Sequence, residues 1–127
     1  MADPLKMSIS QLGEAFEKNL IDPLEALEAF FDAIKKHSLT DRIYVEVTKA
    51  RAVGEAEDAR KRQKLNLRTG PLDGVPISWK DLFDVAGHQT TAGSDLLKGR
   101  IPKNDCAILK LASINGLVTL AKLICLS

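Results

Sequence analysis

A lysine that takes a proton during catalysis must sit on a rigid element. It must also be kept from carboxylates that would hold it charged. Lys80 follows Val75-Pro76-Ile77-Ser78-Trp79, a short apolar run between the turn residues Gly70 to Gly74 and Gly87. The β-branched and aromatic content predicts a strand over 75–79. Side chains alternate along a strand, so Val75, Ile77 and Trp79 are expected on one face and Ser78 and Lys80 on the other, with Asp81 turned away from Lys80. A lysine acting as a base must be neutral. Burial away from carboxylates is what lowers the ordinary lysine value of about 10.4. The plain alternative is a strand-end lysine that reaches solvent.

The other reactive residue types point to less. Asp81 and Asp84 would make a paired-carboxylate site, but one of them reads as a turn cap. His88 is a lone loop histidine, expected in solvent. Cys106 falls one residue inside an expected helix start, a place where a thiol can ionise more easily; a small, half-buried residue is the simpler reading. Gly93 and Gly99 lack the GxxxxGK[ST] spacing of a phosphate loop. The two histidines, His37 and His88, and the two cysteines, Cys106 and Cys125, show no metal-ligand spacing, so no metal site is expected from them.

The elements that must position Lys80 can be read on both sides of it. Residues 8 to about 62 read as mostly helical. Ser8 and Gln11 fit a capping box ahead of Leu12, Phe16 and Leu20. Asp22-Pro23-Leu24-Glu25 combines an acidic N-cap, proline at the first helical position and glutamate at the third. Leu24, Leu27, Phe30, Phe31 and Ile34 then form one apolar stripe, and Lys35, Lys36 and His37 close the helix with positive charge. A strand is expected over 43–47. After it, 48–64 reads as a helix whose contact face is Ala50, Val53, Ala56 and Ala59. Downstream, 105–115 reads as a helix with Ile108, Leu111 and Ala112 inward and Gly116 at its C′ position. A buried strand is expected over 117–120. Strand, helix and strand in this order predict a parallel βαβ crossover. The fold class is therefore α/β, with N-terminal helices packed on the first strands of a mixed sheet, and 127 residues suffice for one domain with a core.

Composition excludes some partners. Lys plus Arg is 18 and Asp plus Glu is 17, so no electrostatic case exists for nucleic acid or an anionic membrane. No apolar run approaches the roughly 20 residues of a membrane span. The start of the chain lacks the apolar core of a signal peptide, and two cysteines give no reason to expect an oxidising compartment. A cytoplasmic protein is expected.

The segment from Gly70 to Asp81 also matches, without a gap, the pattern Gly-Pro-Leu-x-Gly-Val-Pro-Ile, two residues, Lys-Asp. Further matches follow in order: Leu82-Phe83, Gly87, Thr90-Thr91-Ala92-Gly93-Ser94, Pro102-Lys103-Asn104-Asp105 and Gly116 to Lys122. On these motifs the chain resembles the amidase signature family closely over about 65 to 122, and in helical layout over 8 to 62. The resemblance implies an amide C–N hydrolase with a small-molecule amide substrate and no cofactor. In that family a lysine, here Lys80, deprotonates a serine next to a cis peptide bond. That serine activates a second serine, which attacks the carbonyl while backbone N–H groups stabilise the oxyanion.

Both serines belong to a downstream Gly-Ser-rich segment that this sequence does not contain. Ser78, Ser94, Ser113 and Ser127 match neither position. The end also departs from the family: after Lys122 a polar pair is replaced by Leu123-Ile124. The resemblance thus implies 1–127 as the N-terminal portion of a single amidase domain, with 1–64 helical and 65–127 bearing the lysine. It is expected to stop before the serine-rich segment and to be inactive alone. Whether residue 127 is a natural end, a frameshift or a truncated gene model stays open. Self-association through an exposed C-terminal strand is expected, because 117–126 is apolar apart from Lys122. A glutaminase-type component of a tRNA-dependent amidotransferase and a non-catalytic α/β interaction module remain alternatives.

Overall fold

The computed structural model describes residues 3–37 and 39–124. Eight elements follow in order: α1 (Ile9–Glu17), α2 (Pro23–Lys36), α3 (Thr40–Ile43), β1 (Tyr44–Val47), α4 (Lys49–Lys64), β2 (Pro76–Lys80), α5 (Ala107–Ile114) and β3 (Val118–Leu123). Short 3₁₀ turns lie at Pro4–Lys6 and Asp95–Leu97.

Local chemistry explains the helix starts. Ser8 Oγ accepts from Gln11 N while Gln11 Oε1 accepts from Ser8 N, a complete capping box. Asp22 caps α2 through Glu25 N at 2.8 Å, with Pro23 at its first position. The α2 stripe buries Leu27 and Ile34, with Leu24, Phe30 and Phe31 half-buried beside them. In α4 the contact face is Ala52, Ala56, Ala59 and Gln63. Ala50, expected inward, is exposed. A helix turns about 100° per residue, so Ala52 is the position in register with Ala56 and Ala59.

The sheet has three strands in the order β1-β3-β2. β3 runs antiparallel to β1 and parallel to β2. The α/β class, the mixed sheet and the crossover through α5 are thus as the pattern predicts. The strands are offset from their expected bounds. Ile43 closes the short helix α3 instead of opening β1. Val75 lies just before β2, where its N–H closes a turn on Leu72 O at 3.1 Å. It packs with Leu12, Phe16 and Ala26, whereas Ile77 and Trp79 face Val85 and Leu109. Strand alternation does not extend to Val75 because it is a turn residue.

Two further corrections concern the C-terminal half. α5 buries Leu109, while Ile108 and Leu111 are 51% and 62% exposed and Ala112 is half-buried. Cys106 is the N-cap of α5 and lies outside it. The expected exposed C-terminal strand is instead the central one. β3 has a neighbour on each side, and Val118 to Lys122 are all buried. The open edges belong to β1 and β2. Cys125, Leu126 and Ser127 lie outside the described residues.

Candidate active site around Lys80

Lys80 is the last residue of β2 and is exposed. Asp81, the next residue, is 2% exposed, so the two side chains leave the strand in opposite directions as alternation requires. The strand end is fixed on both sides. Asp81 N donates to Leu123 O at 2.8 Å, and Ala92 N donates to Asp81 O at 2.7 Å. Trp79 anchors the opposite face of β2, packed edge-on against Phe83 with ring centroids 5.8 Å apart.

The buried carboxylate of Asp81 has its own cation. Lys122 on β3 is 0% exposed, and its Nζ lies 2.7 Å from Asp81 Oδ1. The approach to Oδ1 is off the hydrogen-bond direction, so this contact is an ion pair first. Lys122 Nζ also donates to Gln89 O and Thr90 Oγ1, each at 2.8 Å. The other carboxylate oxygen, Oδ2, accepts from Thr91 Oγ1 at 2.7 Å. Burial pushes the Asp81 carboxyl up, but the Lys122 ammonium and the Thr91 hydrogen bonds outweigh it and hold it below the usual carboxylate range. Removing one partner from such a buried pair costs about 3–5 kcal/mol.

The loop from 88 to 94 is therefore tied to the sheet by charge. Ala92 takes the left-handed conformation at φ 51°, uncommon for a residue with a side chain. His88, expected in solvent, places Nδ1 2.7 Å from Glu46 Oε1 on β1. Asp81 and Asp84 do not form a paired-carboxylate site: Asp84 is held by both terminal nitrogens of Arg100, at 2.7 and 2.9 Å.

Two of the serines serve other ends. Ser94 Oγ accepts from Leu96 N, and Ser113 Oγ accepts from Arg51. Neither these nor Ser78 is hydrogen-bonded to Lys80. The Lys122–Asp81 pair was not foreseen from the sequence. The available signal was a lone lysine inside an otherwise apolar strand, since a buried ammonium requires a partner.

Around the site, two bidentate arginine pairs lock the crossover. Arg51 on α4 grips Asp105 at 2.6 and 2.8 Å, and Asp105 also accepts from Ala86 N. Arg62 grips Asp73 at 2.9 and 2.7 Å, and Asp73 accepts from Thr69 N. These pairs fix the turn before β2 and the loop before α5. The Lys80-bearing strand is thus held from both ends.

Comparison with known proteins agrees with this architecture. The chain is 35% identical over 126 residues to a glutamyl-tRNA(Gln) amidotransferase subunit of Ehrlichia canis, covering 97% of this chain and 25% of that protein. The mitochondrial counterpart from Homo sapiens is 31% identical over 118 residues, covering 93% of this chain and 22% of that protein. The native peptide amidase from Stenotrophomonas maltophilia superposes with a TM-score of 0.84 at 24% identity, over 93% of this chain and 24% of that one; at that identity the likeness shows the fold. The chain spans about a quarter of the length of these relatives. The Amidase family model matches residues 25–124, so the chain belongs to the amidase signature family.

Proposed function

We propose that residues 1–127 are the N-terminal, lysine-bearing portion of an amidase domain and that Lys80 is the general base of its active site. The observation that carries this reading is the placement of Lys80: last in a strand pinned at its end and facing away from the one adjacent carboxylate. In the complete site the neutral amine of Lys80 would take the proton of a serine beside a cis peptide bond. That serine would take the proton of a second, which attacks the amide carbonyl to give an acyl-enzyme and release the amine. Both serines would come from a Gly-Ser-rich segment outside residues 1–127, so the proposed chemistry needs more than this portion. The substrate is a small-molecule amide, the mechanism uses no cofactor, and the compartment we assign is the cytoplasm. Among the described residues no helix is long and apolar enough to cross a membrane.

A second reading has a specific support. The two amidotransferase relatives belong to a tRNA-dependent system, which would make the complete protein a glutaminase that hands ammonia to a partner.

The test starts at the gene. Reading past codon 127 in all frames should reveal a Gly-Gly-Ser-Ser-Gly-Gly-like segment, and its absence favours a non-catalytic module. With that segment restored, Lys80→Arg should abolish amide hydrolysis, because a guanidinium cannot give up its proton at accessible pH. An active Lys80→Arg protein refutes Lys80 as the base. Ammonia release from glutamine, absent with other amides, selects the amidotransferase reading.

A further inference from the structure

The buried pair has a consequence for Lys80 beyond holding the fold. Asp81 follows Lys80 directly, and a free carboxylate there would favour the charged form of the lysine. Lys122 prevents this in two ways. It draws the Asp81 carboxylate to the interior, 2.7 Å from its own Nζ, and it cancels that charge. The two remaining polar contacts of its ammonium, Gln89 O and Thr90 Oγ1, are uncharged, so Asp81 is its ion-pair partner, although its charge also reaches Asp84. The other carboxylates around it are engaged elsewhere. Asp84 is held by Arg100, and Glu46, opposite Lys122 in the β1–β3 ladder, meets His88. Lys80 itself forms no ion pair among the described residues.

We propose that Lys122 is a positioning residue for Lys80: by sequestering and neutralising Asp81, it leaves the Lys80 amine on the other face of β2 without a counter-ion. This rests on the reading of Lys80 as a base, but its test does not need catalysis.

Sulfosuccinimidyl acetate acylates a lysine only through its unprotonated amine. The 127-residue chain is treated with limiting reagent at fixed pH. Labelling of Lys80 is then read by peptide mass spectrometry, relative to the exposed lysines Lys36 and Lys98. In Lys122→Met the Asp81 charge is unmatched, and Lys80 should label more slowly. In Asp81→Asn the Lys122 charge is unmatched, and Lys80 should label faster. Each change should be about threefold to tenfold, as Coulomb's law gives for neighbouring unit charges at a dielectric between surface and water. The double variant Lys122→Met with Asp81→Asn should return to the parent rate. Loosening of the fold would move both single variants in the same direction. A change of the same sign in both, or equal labelling in all proteins, overturns the proposal. The reading of Lys80 as base fails separately, on an active Lys80→Arg enzyme.

Discussion

Replacing Gly116 by alanine should be among the most damaging single-methyl changes in this chain. Gly116 follows α5 at φ 83°, in the left-handed region, where an L side chain costs about 1–2 kcal/mol. An added Cβ would also meet the Asp73 carboxylate, with the Asp73 Cγ at 2.7 Å and Oδ1 closer still. Asp73 is 1% exposed and cannot swing into solvent without breaking its bidentate pair with Arg62 and its bond from Thr69 N. Gly74 N also donates to Gly116 O at 2.8 Å, so movement of either residue disturbs the turn that starts the lysine segment. A hydrogen bond to a charged group is worth about 1.5–3 kcal/mol. Losing one such bond on top of the backbone cost gives a destabilisation of about 2.5–5 kcal/mol.

Gly99 supplies the control. It has nearly the same φ, 84°, but an added Cβ there meets nothing within 4 Å. Gly99→Ala should therefore lose only the backbone portion, about 1–2 kcal/mol. Urea unfolding of both variants, followed by circular dichroism, separates the two contributions. Equal losses in the two variants would refute the argument, because the contact with Asp73 would then carry no energy.

The 127-residue chain should hydrolyse neither aryl nor aliphatic amides; turnover that disappears in Lys80→Ala would show that a nucleophile exists within it. Lys80→Ala should leave the melting temperature within about 2 °C, since a surface change of this kind is worth under ~0.5 kcal/mol. Thermal stability should fall as pH drops below the ordinary carboxylate value of about 3.9. Arg51 holds the Asp105 carboxyl low, and Asp73 and Asp81 are also low despite burial, because hydrogen bonds and cations outweigh desolvation. Groups depressed in the folded state stabilise it above the unfolded value and lose that contribution as pH falls through the folded one; Asp105→Asn should flatten the acid limb, and an unchanged profile would count against the Arg51 pairing. The chain should also self-associate, through the outer face of α5, where Ile108, Leu111 and Ile114 are 51%, 62% and 73% exposed. Size-exclusion chromatography should show this, with Ile108→Ser plus Leu111→Ser shifting the protein toward monomer; a sharp parental monomer would count against it.

Sequence alone determined the features whose causes are local. Ser8 with Gln11 and Asp22 with Pro23 start helices because the capping atoms lie within three residues of the groups they satisfy. The apolar stripe of α2 and the parallel crossover from β2 through α5 to β3 follow from periodicity and connection length. The motif order from Gly70 to Lys122 was enough to identify the family. Only the tertiary structure decided what depends on distant partners. Ile108 and Leu111 against Leu109 could not be sorted from the pattern, because an eight-residue helix rich in apolar residues offers more than one possible inner face. β3 became a central strand because β1, more than 70 residues earlier, pairs on its far side, as in Tyr44 with Leu123. His88 found Glu46 across 42 residues of chain. Lys122 stood in the sequence as a lone charge in an apolar strand, and the fold brought Asp81, Gln89 and Thr90 to it. Local order is set by short-range hydrogen bonds and periodicity. The partner of Lys122 is a carboxylate at the end of the neighbouring strand, and no spacing along the chain encodes that distance.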